Sequence, residues 1–149
     1  MNRFFERSGM AFAVLLAAAT TLDAQAQSAT LPAEHQEGVA SYVSGGVGDG
    51  QEQQFQSAFK QYPLVVKLFE GNGTARAEFT AEARVRITDG KGATVLDAKS
   101  DGPYMLVRLP AGDYDVVASL DGKSLPGHKV HVTASGHVVT TFLFPKNSG

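Results

Sequence analysis

The chain has 149 residues, 43% of them hydrophobic and 19% charged, with a formal net charge of −2. Roughly 100–150 residues is the size of one domain. So small a charge excess supplies no basic field for nucleic acid or an anionic membrane, and no polyanionic tail. The absence of cysteine excludes disulfides, thiolate nucleophiles and cysteine-held metals.

Residues 1–7 carry Arg3 and Arg7, residues 10–19 are apolar, and Ala24-Gln25-Ala26 puts small residues at the two positions a signal peptidase reads. This pattern predicts a cleavable signal peptide over 1–26, cut after Ala26, and hence a periplasmic or secreted protein. The apolar run falls well short of the roughly 20 residues that span a bilayer, and no later run is longer, so no transmembrane segment is expected in the mature chain. With no cysteine after the cut, a lipid anchor is not expected either.

Residues 27–50 read as a flexible lead-in that ends in the glycine-rich Tyr42-Val43-Ser44-Gly45-Gly46-Val47-Gly48-Asp49-Gly50. Phe55 and Phe59, four apart among glutamines, predict a short helix over 51–62 with both rings on one face, lying across one end of the domain. From residue 64 the chain reads as strands separated by turn signals. They fall at 64–69, 83–88, 93–98, 104–109, 113–120, 129–133 and 138–144. Val85 and Ile87 alternate with Arg84 and Arg86; Tyr114, Val116, Ala118 and Leu120 form an inward series. Asp89-Gly90-Lys91-Gly92, Pro110-Ala111-Gly112 and Asp121-Gly122 supply turns. Seven short strands spaced about 8–12 residues apart predict an all-β sandwich, with a small open barrel as the competitor.

The stretch Asp101-Gly102-Pro103-Tyr104, Leu106, Leu109-Pro110-Ala111-Gly112, Tyr114, Val116 and Gly122 resembles carboxypeptidase regulatory-like domains. Val85-Arg86-Ile87-Thr88-Asp89-Gly90-Lys91-Gly92 fits their first hairpin, and the likeness covers about residues 82–144. The resemblance implies a prealbumin-like (transthyretin-like, Ig-like) seven-stranded sandwich over 63–145 after one short N-terminal helix. Strand alternation places Tyr104 and Leu106 inward, with one phase slip before Leu109. A fold of this kind does not fix a function.

The chemistry such a family name invites is not supported by the residues. A zinc peptidase needs His-x-x-Glu, but Glu37 follows His35 by two, and no glutamate follows Glu82. His128 and His131, three apart on a strand, fall on opposite faces. His131 and His137 remain as metal candidates, side by side across Ser135-Gly136, for Cu(II) or Zn(II); two nitrogens alone make a poor site. The aspartates are scattered singly through turns, unlike a calcium loop. The glycine run lacks the Lys-Ser/Thr of a phosphate loop, and there is no Gly-x-Ser-x-Gly elbow. Arg84, Arg86 and Arg108 are candidates for an anion-binding sheet face, and Tyr42 and Tyr62 for stacking rings. No catalytic residue and no cofactor is expected. The sequence points to an exported, non-catalytic binding or accessory module contacting an envelope protein through a sheet edge or the loop end. A carbohydrate-binding (starch-binding-like) domain is the alternative.

Overall fold

The computed structural model describes residues 30–71, 78–79 and 82–146. The signal peptide expected over 1–26 lies outside them. No helix among the described residues is long and apolar enough to cross a membrane.

The strands follow their patterning. In chain order they are β1 (His35–Glu37), β2 (Ala40–Gly45), β3 (Leu64–Gly71), β4 (Glu78–Phe79), β5 (Arg84–Asp89), β6 (Thr94–Lys99), β7 (Tyr104–Arg108), β8 (Gly112–Leu120), β9 (Lys123–Ser124), β10 (His128–Val132) and β11 (Val138–Pro145). Among the described residues one helix, α1 (Asp49–Ala58), runs into a 3-10 turn at Phe59–Gln61. The first sheet has the order β1-β2-β7-β3-β11, with β4 also paired to β3; the second has β10-β8-β5-β6, with β9 paired to β8. All pairs are antiparallel except β11 with β3.

The two sheets close over Leu64, Val66, Leu68, Val85, Ile87, Leu96, Met105, Val107, Val116 and Phe142, all buried. The inward series on β5 and β8 is as the alternation requires. Tyr114 buries its ring, and its hydroxyl donates to the Pro110 carbonyl at 2.7 Å. That bond ties the start of β8 to the turn before it, as the tyrosine corners of other sandwiches do. At the far end of β8, Asp121 (φ 51°) and Gly122 (φ 77°) make the two-residue left-handed turn that leads into β9.

Four expectations are corrected. Residues 35–45 are not a flexible lead-in: they form β1 and β2, and most of β2 is buried. With these and the short β4 and β9, the described residues hold eleven strand segments rather than seven. The helix begins at Asp49 and lies flat on the outer face of the first sheet, not across one end. Finally, Tyr104 and Leu106 face the helix, while Met105, Val107 and Leu109 face the sandwich core in one unbroken period-two series with no phase slip.

All but the added short strands share one cause. β2, β3 and β7, the middle strands of the first sheet, are covered on both faces, so β7 is apolar on both phases and its alternation disappears. A second core therefore lies between α1 and this sheet, formed by Val43, Phe55, Ala58, Tyr62, Val65, Tyr104 and Leu106. Phe55 is fully buried there, and Phe59 meets the Tyr104 ring edge-on at 5.3 Å.

Candidate functional site

Arg108 ends β7 on the helix-covered face, opposite Ser41 of β2. Its guanidinium lies 4.2 Å from the centre of the Tyr62 ring. Its Nε donates to Glu34 Oε1 at 3.1 Å, and its Nη1 to the Gln61 carbonyl at 3.0 Å. Glu34 also accepts from the Tyr62 hydroxyl at 2.7 Å and from Ser41 Oγ at 3.0 Å. The Tyr62 hydrogen bond, reinforced by Arg108 and Ser41, holds the Glu34 carboxyl below its usual range. Burial, then the hydrogen bond to Glu34, pushes the Tyr62 phenol up to about 12. A protonated tyrosine, a carboxylate and a guanidinium thus satisfy one another. The cluster clasps the segment before β1 to the end of the helical turn. Glu34, its centre, gave no signal in the sequence, because it lies 74 residues before Arg108.

Arg84 and Arg86 lie on the outer face of the second sheet, on the opposite side of the molecule from Arg108. Arg84 Nε reaches Asp97 Oδ1 at 2.6 Å, and Arg86 Nη2 reaches Asp97 Oδ2 at 3.3 Å. The Arg84 hydrogen bond keeps the Asp97 carboxyl below its usual range. The three arginines therefore do not share a face, and each has a carboxylate already.

The rings do not form a platform either. Tyr62 is buried in the outer core, whereas Tyr42 packs against the sandwich core and stacks on His35, with ring centres 5.2 Å apart.

The histidine pair is not assembled. His131 lies on β10, facing away from the core, with Nδ1 2.7 Å from Asp113 Oδ1. It lines an open recess of about 610 Å3 with Asp89, Asp113 and Asp115. The chain after β10 crosses to the other sheet, so 133–137 is not a hairpin turn and does not pair His137 with His131. No group of three or more potential ligands able to hold a metal occurs among the described residues. In the glycine-rich stretch, the Gly46 and Val47 N–H groups are taken by Gln51 Oε1 at 2.8 and 3.1 Å.

What the fold leaves open is an edge. β1 is only three residues long. β6 carries Asp97 and Lys99, and the Asp97 N–H donates to Glu37 Oε1 at 3.1 Å. β10 carries His128, Lys129 and His131. β11 reads Val-Val-Thr-Thr-Phe-Leu-Phe-Pro: eight residues with no charge, paired on one side only among the described residues. Natural sheets usually protect such an edge with charge, a bulge or a cover.

The register shows which groups it presents. Val138 and Lys146 donate their N–H groups toward the β3 side, to Pro63 and Gly71. Even-numbered residues thus address β3, leaving the N–H and C=O groups of Val139, Thr141 and Leu143 directed outward. The Val139 and Leu143 side chains, 43% and 52% exposed, lie with Thr141 on the outer face of the sheet. His128 clips β10 over this strand: its Nδ1 is 2.6 Å from Thr140 Oγ1, and its ring stacks on Phe142 at 4.2 Å.

No protein-family model matches the chain, and no curated protein matches it.

Proposed function

We propose that this chain is an exported, non-catalytic binding module of the cell envelope, built on a carboxypeptidase regulatory-like, prealbumin-type sandwich, and that it takes a protein partner along β11. The observation that carries this reading is the uncharged, one-sided β11, with its outward peptide groups and two exposed apolar side chains. Strand addition supplies main-chain hydrogen bonds at such an edge, while alternate side chains set specificity. The neutralised arginines and the separated tyrosines support a protein contact over a bound anion or a glycan.

The test is photo-crosslinking in the cells that make the protein. A benzophenone amino acid replaces Thr141 in one variant and Lys91, in the β5–β6 turn, in another. The expected result is a discrete protein adduct from position 141 that is absent from position 91. No adduct at 141, or the same adducts at both positions, overturns the reading.

A further inference from the structure

We propose that the occupant of β11 is the β11 of a second copy of this chain, paired antiparallel about a twofold axis at Thr141. This rests on the reading of β11 as the contact edge.

The argument comes from the symmetry of the open groups. The outward peptide groups belong to Val139, Thr141 and Leu143, with Thr141 at the centre. Past them, Pro145 has no N–H to give, which closes the edge at that end. Centring the pair on Thr141 sets Val139 opposite the second copy's Leu143, Thr141 opposite Thr141, and Leu143 opposite Val139. Each is a hydrogen-bonded antiparallel pair, exchanging both N–H···O bonds. The same register brings the strand's two exposed apolar side chains together on one face, where directly opposed residues make side-chain contact. Moving the centre to Leu143 would set Pro145 opposite Thr141, and moving it to Val139 would set His137 there. Both lose bonds or an apolar contact.

Charge does not oppose the pairing, since residues 138–145 carry none. A twofold axis normal to the sheet keeps both α1 helices on the same side, so the two first sheets become one continuous sheet. Edge pairing alone buries less than the roughly 1,200–2,000 Å2 of a stable complex. Self-association is therefore expected to depend on concentration.

The test uses the full exported protein isolated from its cells. The chain has no native cysteine, so Thr141→Cys introduces a single thiol. Opposed residues in such a pair have Cα atoms about 5.5 Å apart, within disulfide range. Under mild oxidation, Thr141→Cys is expected to form covalent dimers at least tenfold faster than Val47→Cys, which is also exposed. In sedimentation, the unmodified protein is expected to move from one-chain to two-chain mass as concentration rises. Thr141→Lys, which opposes two ammonium groups at the axis, is expected to stay at one-chain mass with an unchanged circular dichroism spectrum. A one-chain mass for the unmodified protein at every concentration, with no rate advantage for Thr141→Cys, overturns the second-copy proposal. If position 141 then crosslinks to a different protein in cells, the contact edge stands without its self-pairing. If it crosslinks to nothing, both fall.

Discussion

Phe55→Ala tests whether the outer core is structural. The Phe55 side chain is fully buried between α1 and the first sheet, with its ring stacked on Tyr104 at a centroid distance of 6.2 Å. Removing a buried phenylalanine in this way costs about 3–5 kcal/mol, from lost transfer energy and the cavity left behind. The upper part of that range is expected, because α1 has Phe55 as its one large buried side chain. It has ten residues, no side-chain N-cap, Gly50 in its first turn, and only Phe55 and Ala58 buried. An isolated helix of that length is marginal in water. The surface uncovered if it lifts off belongs to Val43, Val65 and Leu106, on strands that also build the inner core, so the loss should appear in global unfolding. Urea unfolding followed by circular dichroism and tyrosine fluorescence measures it, with the exposed Val47→Ala as a control expected to change stability by less than about 0.5 kcal/mol. A loss below about 1 kcal/mol for Phe55→Ala would refute a packed helix layer.

Gly102 lies against the Gly45 backbone, where an added Cβ would collide with the carbonyl carbon and oxygen. Gly102→Ala is therefore expected to destabilise by about 1–3 kcal/mol in the same urea assay, because main chain on both sides cannot swing away. Stability should also depend on pH at both ends. The lowered Glu34 carboxyl contributes stability that is present above its ordinary 4.5 and lost as pH falls through its folded value, so Glu34→Gln should flatten the acid limb. The raised Tyr62 phenol contributes stability that is complete below its ordinary 10.0 and lost as pH climbs to about 12. That change is on the order of 2–3 kcal/mol, and Tyr62→Phe should flatten the alkaline limb. Intact-mass measurement of the protein isolated from its cells should place its first residue at Gln27, and retention of residues 1–26 would contradict the signal-peptide reading.

Sequence patterning made the sandwich legible wherever one face of a strand meets solvent. Val85 and Ile87, and the series from Tyr114 to Leu120, kept their phase because arginines, aspartate and serine alternate with them. β7 was legible as a strand but not in its facing, because Tyr104, Met105, Leu106 and Val107 are all buried. β2 was hidden for a related reason. Squeezed between sandwich and helix, it uses Ala40, Ser41, Ser44 and Gly45, small residues that resemble a loop, and its serines are satisfied by Glu34 and Asp101. The arginines were recognisable as outward residues. Which sheet each joins depends on strand order, and no local pattern encodes that. The carboxylates Glu34 and Asp97 that neutralise them come from segments 74 and 13 residues away. β11 was legible as a strand, but only the parallel pairing with β3 shows that it is an edge and which of its peptide groups face outward.

Amide hydrogen exchange along β11 tests the open edge most directly. In dilute protein, Thr140, Phe142 and Phe144 should be protected by β3, while Val139, Thr141 and Leu143 exchange freely and become protected as protein concentration rises or a partner is added. Equal protection of odd and even positions in dilute protein, or odd positions that stay unprotected under every condition, would contradict the assignment of β11 as the binding edge.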